Sequence, residues 1–118
     1  MGDIVFIGKK RCFTLDEAQE LLPTIRRVTE RAIKSVEQVR HKRRNKPKVM
    51  DGKQYEEATQ AVIGTWAEQI ERLGCEPKGL WLVDFDYGDG YYCWRYPELG
   101  LEYSHNYDEG FGGREPIN

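Results

Sequence analysis

Residues 80–105 read LWLVDFDYGDGYYCWRYPELGLEYSH, and the way this stretch divides decides the fold. Leu80–Phe85, Tyr91–Tyr96 and Leu101–His105 are rich in aromatic and branched side chains, and Tyr87-Gly88-Asp89-Gly90 and Pro97-Glu98-Leu99-Gly100 separate them. Period-two runs split by Gly and Pro turns read as a three-stranded antiparallel meander. A hairpin centred on Gly88-Asp89 sets Trp81, Val83 and Phe85 opposite Tyr96, Trp94 and Tyr92. One centred on Glu98-Leu99 sets Tyr96, Trp94 and Tyr92 opposite Leu101, Tyr103 and His105, so both turns send the same aromatics to one face. The other face collects Asp84, Cys93, Arg95, Glu102 and Ser104, with Arg95 directly across from Glu102. In this register His105 ends the third strand on the core side beside Tyr92, and Cys93 points away from it.

An aromatic sheet face needs a cover, and the residues upstream supply one. Thr14-Leu15-Asp16-Glu17 is a capping box, in which the Thr14 hydroxyl accepts from the Glu17 N–H and the Glu17 carboxylate reaches back to the Thr14 N–H. Pro23 cannot donate to residue 19, so a short helix is expected to end there and a long one to run to about Arg44. The long helix carries the stripe Ile25, Val28, Ala32, Val36 and Val39. Asp51 caps a second helix with the stripe Tyr55, Ala58, Val62, Trp66, Ile70 and Leu73, closed by Gly74 and Pro77. Gly64 inside it implies close approach of another backbone. The expected fold is α+β: a long antiparallel α-helical hairpin, preceded by a short helix, packed on a three-stranded antiparallel β-meander. One domain is expected over 1–118, with an arm over 1–12 that includes the apolar run Ile4–Ile7, helices over 14–74, the meander over 79–106 and a Gly-rich C-terminal turn over 107–118.

Composition excludes several classes. No apolar run approaches the roughly 20 residues of a membrane span, and Ile4–Ile7 is too short for a secretory signal, so a cytoplasmic protein without membrane partners is expected. Cys12, Cys75 and Cys93 are odd in number and in no C-x-x-C arrangement, which points to reduced thiols rather than disulfides or a Cys-based zinc site. Residues 1–50 carry 13 Lys/Arg against 6 Asp/Glu, and residues 51–118 carry 5 against 14. The two halves therefore attract each other, within one molecule or between copies. The tract Arg40–Lys48 is the most basic, as suits a helix C-terminus at a solvated hairpin tip. It has no aromatic to stack a base, which argues against nucleic acid as the partner.

The chemistry-bearing residues gather at the C-terminus. His105, Asp108 and Glu109 form a His-x-x-Asp-Glu group, and one imidazole with carboxylates is a donor set that divalent transition metals use. The alternative for His105 is a half-buried side chain bonded to a Tyr or a carbonyl. In Gly110-Phe111-Gly112-Gly113-Arg114, the N–H groups around Gly112 and Gly113 could form an anion nest beside the forked donor of Arg114. The alternative is a tight turn that tucks Phe111 into the core while Arg114 pairs with Asp108 or Glu109. No catalytic motif is complete, so no reaction is assigned.

Phe13–Pro23 (FTLDEAQELLP) and Gly79–Phe85 (GLWLVDF), with Cys93-Trp94, His105, Asp108, Gly110-Phe111, Gly113-Arg114 and Pro116-Ile117, resemble a family of small bacterial proteins known as domain of unknown function 2203. The resemblance covers about residues 12–118. It implies a soluble bacterial protein and directs attention to His105, Asp108, Gly110, Gly113 and Arg114, without implying an activity. The chain departs from the family pattern at Ser104, where an aromatic precedes the His, and at Pro97, where the turn has Gly.

Three functions are compatible with these residues. The first is a non-catalytic assembly or binding module that forms a homodimer through the hairpin or a strand edge. The second is a small enzyme or ligand-binding protein holding a divalent transition metal or an anion at His105, Asp108, Glu109, Gly112, Gly113 and Arg114. The third is a nucleic-acid binder using residues 40–48.

Overall fold

The computed structural model describes residues 11–117, so the expected Ile4–Ile7 arm lies outside the described residues. Helix α1 spans Leu15–Asn45 and α2 Gly52–Arg72. The strands are β1 (Glu76–Gly79), β2 (Leu82–Asp86), β3 (Tyr91–Arg95), β4 (Tyr103–His105) and β5 (Glu115–Pro116), in one antiparallel sheet of order β1-β2-β3-β4-β5. The hairpin packs on one face of this sheet, and the α+β class holds. Both helices begin as their sequences dictate: Thr14 and Glu17 close one capping box, Asp51 and Gln54 another. Gly74, at φ 89°, ends α2 in the left-handed conformation that glycine adopts without strain.

Four expectations are corrected. First, Pro23 does not divide the first helix; α1 is continuous for 31 residues. Pro23 and Gln19 lie on the exposed side, so the carbonyl that loses its helical bond faces water. Ala18, Leu22 and Ile25, buried on the other side, hold the helix to one axis. Second, the sheet has five strands rather than three. Glu76-Pro77-Lys78-Gly79 and Glu115-Pro116 lack β-branched residues and contain Pro, so they show no strand signal, and both occupy the sheet edges where Pro is tolerated. Third, Gly64 meets no atom within 4 Å where a Cβ would stand; it is an exposed helix position, not a close approach.

The fourth correction decides the site. The first hairpin has the expected register, Val83 opposite Trp94 and Phe85 opposite Tyr92. The second is shifted by one residue: Tyr91 faces His105, Tyr92 faces Ser104 and Cys93 faces Tyr103. The cause is residues 96–102, which form a wide loop rather than a tight turn. Leu101 plugs the core from it, Leu99 is left exposed, and the Glu98 carbonyl accepts from Trp94 Nε1 (2.9 Å) and from Arg26 Nη1 (2.7 Å) of α1. A shift of one residue moves a strand's side chains to the opposite face. His105 therefore turns away from the helices to join Cys93, and no Arg95–Glu102 pair forms.

The core lies between the sheet's inner face and the near half of the hairpin. Val83, Phe85 and Trp94 are fully buried against Ala18, Leu22, Ile25, Trp66 and Ile70. Trp66 donates from Nε1 to Thr29 Oγ1 (2.8 Å), and Thr29 in turn donates to the Ile25 carbonyl (2.8 Å), so this buried polar chain between the helices is satisfied. Trp81 adopts φ 58° in the β1–β2 turn and sets its ring edge-on to Trp66, with centroids 5.1 Å apart. Left-handed backbone at a non-glycine residue costs about 1–2 kcal/mol, which the burial of an indole offsets.

Candidate functional site

The strand registers bring a set of polar side chains together on the sheet's outer face. Asp84 stands opposite Glu76 on β1 and Cys93 on β3, and His105 on β4 stands opposite Tyr91. Asp84, Cys93 and His105 are all buried, and one ligand-type atom from each lies within 4.8 Å of the others. The C-terminal segment covers them. Tyr107 packs edge-on to Tyr91 at 5.0 Å and donates its hydroxyl to Asp86 Oδ1 at 2.6 Å. After the single 3-10 turn Phe111–Gly113, Arg114 forks onto both Glu98 carboxylate oxygens (3.0 and 2.7 Å), with its guanidinium between the rings of Tyr103 (4.1 Å) and Phe111 (4.0 Å).

Within the cluster the hydrogen bonds fix orientations. His105 Nδ1 lies 2.8 Å from the Asn106 carbonyl, which can only accept, so Nδ1 carries a proton and Nε2 faces Asp84 Oδ2 at 3.0 Å. Asp84 Oδ1 is buried and makes no hydrogen bond. Burial pushes the Asp84 carboxyl up from its usual range, against the hydrogen bond from His105, and pushes the Cys93 thiol up to about 12. Lys78 Nζ closes the β1 side, 3.2 Å from Glu76 Oε1 and 4.0 Å from Asp84 Oδ2, over the Tyr91 ring.

The residues expected to form the site are placed differently. His105 is central, but Asp108 and Glu109 are exposed, and the Glu109 carboxylate accepts from the Asn106 N–H (3.3 Å). The structure does not bring either carboxylate into a ligand cluster with His105. Gly112 is exposed, and the N–H groups of Gly113 and Arg114 are used inside the turn, on the Gly110 and Phe111 carbonyls. Arg114 pairs with Glu98 rather than Asp108 or Glu109, and Phe111 is a partly exposed stacking partner rather than a core residue. The sequence reading already sets Asp84 and Cys93 on one face, but the one-residue shift hides that His105 joins them, and Glu98 is read only as part of a turn.

A second feature lies at the far end of the hairpin. Buried side chains of α1 stop at Ala32, and those of α2 begin at Trp66. Beyond them Val36, Val39, Tyr55, Ala58 and Val62 are only half covered, and a groove of about 310 Å³ runs between Val28, Ala32, Ala61 and Val62, with Arg31 at its rim. Residues 40–48 form the tip, where Asn45 bonds the His41 ring (2.9 Å to Nε2) and Arg43 lies over Tyr55. No helix among the described residues is long and apolar enough to cross a membrane.

These features define a small α+β protein whose sheet is backed by a helical hairpin on one face and seals a polar cluster under its C-terminal turn on the other. A family described as an uncharacterized conserved protein, DUF2203, matches residues 11–117, and the chain belongs to that family. No curated protein and no solved structure matches it.

Proposed function

We propose that the protein is a non-catalytic assembly module that forms a homodimer through the distal half of its helical hairpin, two copies closing into a four-helix bundle. The half-covered stripe Val36, Val39, Tyr55, Ala58 and Val62 carries this reading. At 1.5 Å per residue α1 is about 46 Å long, and its buried side chains stop at Ala32, so the turns beyond Ala32 have no sheet to cover them. Charge supports the choice of a second copy as the occupant. The distal part of α1 presents Arg31, Lys34, Arg40, Lys42, Arg43 and Arg44 against Glu37 alone, and the distal turns of α2 present Glu56 and Glu57 against Lys53. A two-fold arrangement setting α1 of each copy on α2 of its partner joins these opposite signs at the rim of an apolar seam.

Sedimentation equilibrium tests it. A dimer is expected at tens of micromolar, converted to monomer by Val36→Glu or Val62→Glu with helical circular dichroism unchanged. A wild-type monomer at that concentration removes the reading.

A further inference from the structure

We propose that Asp84, Cys93 and His105 form a structural binding site for a divalent transition metal, with Zn²⁺ the best chemical match. Each of three adjacent strands contributes one donor, β2 the carboxylate, β3 the sulfur and β4 the imidazole. Zinc bonds of about 2.0–2.3 Å at tetrahedral angles separate donor atoms by roughly 3.3–3.6 Å. The three atoms already lie within 4.8 Å of one another, and His105 Nε2 to Asp84 Oδ2, at 3.0 Å, needs to open by only a few tenths of an ångström.

Three observations point to a ligand rather than to a self-contained polar core. The Asn106 carbonyl fixes the His105 proton on Nδ1 and so directs Nε2 inward, the arrangement by which metal-binding histidines are oriented. Asp84 Oδ1 is buried without a hydrogen bond, an unsatisfied acceptor beside the three donor atoms that a cation held there would satisfy. The cations bordering the site make their shortest contacts with other carboxylates, Lys78 with Glu76 at 3.2 Å against 4.0 Å to Asp84 and Arg114 with Glu98 at 2.7 Å, so the Asp84 carboxylate and a Cys93 thiolate are the charges best placed to neutralise a divalent ion.

One sulfur, one nitrogen and carboxylate oxygen suit Zn²⁺ or Fe²⁺ and disfavour Mg²⁺ and Ca²⁺, which take oxygen ligands. Binding displaces the thiol proton and the proton shared by His105 and Asp84, and both leave to solvent. The three ligands are buried and sit on three adjacent strands, so a bound ion would fasten β4 and the turn after it to the sheet, with water completing the coordination.

Cobalt(II) added to chelator-stripped full-length protein is the probe. One equivalent per chain is expected to bind with a thiolate-to-cobalt charge-transfer band, to be displaced by Zn²⁺, and to raise the melting temperature. Cys93→Ala and His105→Gln should lose the band and the thermal shift. A Cys12→Ser/Cys75→Ala variant, which leaves Cys93 as the single thiol, should keep both, and it decides the matter should Cys93→Ala fail to fold. No band and no thermal shift in the wild type, or their loss in the Cys12→Ser/Cys75→Ala variant, overturns the proposal.

Discussion

Replacing Arg114 tests whether the C-terminal turn is what seals the polar cluster. Arg114→Ala removes two charge-assisted hydrogen bonds to Glu98, at 3.0 and 2.7 Å, and two ring contacts, and it leaves the Glu98 carboxylate unpaired. Breaking a buried pair costs about 3–5 kcal/mol. The side chains here are 11% and 22% exposed, so screening reduces the loss, to about 3 kcal/mol. Arg114→Lys keeps the charge but loses the fork and the planar stacking, at about half that cost. For a chain of this size 1 kcal/mol moves the melting temperature by about 4 °C, giving drops of about 12 °C and 6 °C.

The same energy appears locally. A turn weakened by about 3 kcal/mol opens roughly a hundredfold more often, so in a Cys12→Ser background a thiol reagent should reach Cys93 about a hundredfold faster under native conditions, while Cys75, buried at the start of β1 away from the turn, should keep its rate. Thermal melts, urea titration and native-state labelling rates are the measurements, with Glu98→Gln completing a double-mutant cycle. Equal labelling of Cys93 and Cys75 in Arg114→Ala, or additive effects of the Arg114 and Glu98 changes, refutes the reasoning.

Thr29→Val is isosteric but leaves the buried indole N–H of Trp66 without an acceptor, costing about 2 kcal/mol, whereas Thr29→Ser, which keeps the oxygen, should cost about 1; urea midpoints check the order. Gly64→Ala should stabilise α2 by about 1 kcal/mol, since the site is exposed and open; a loss in thermal melts would contradict the open placement. Burial holds the Cys75 thiol at about 12, against 9.0 for the free group. Between those values the unfolded chain has released a proton that the folded chain retains, so stability falls as pH rises from 9.0 toward 12. Cys75→Val should flatten that alkaline decline in denaturant titrations.

The helices were legible because their signals are local. One capping box, the Asp51 cap, two stripes and Gly74 place the helix boundaries; Pro23 and Gly64 mislead, since the side a residue faces cannot be read from that residue alone. The first strand hairpin was legible for the same reason, as Gly88-Asp89 fixes a short turn between alternating residues. The second was not, because its register depends on distant partners: Arg26 of α1 and the Trp94 indole both hold the Glu98 carbonyl, and Leu101 enters the core. Of the candidate site, His105 and Arg114 were found from residue type. Their true partners, Asp84 and Glu98, required the shifted register.

Glu98 also explains why the two halves of the molecule share one register. Its carbonyl is held from the helix side by Arg26, and its carboxylate takes the Arg95 N–H (2.8 Å) and the fork of Arg114 on the outer side. One loop residue thus fixes both the angle at which the hairpin meets the sheet and the turn that covers Asp84, Cys93 and His105. The two attachments use different atoms, so they separate experimentally. Glu98→Gln keeps the carbonyl contacts with α1 and weakens only the outer cover, so it should raise Cys93 labelling without changing dimerisation through the hairpin. Arg26→Met removes a helix-side contact and leaves the Arg114 pair in place, so it should lower global stability while Cys93 and Cys75 keep their relative labelling rates. If either change produced the other's effect, Glu98 would not be the point at which the two layers are joined.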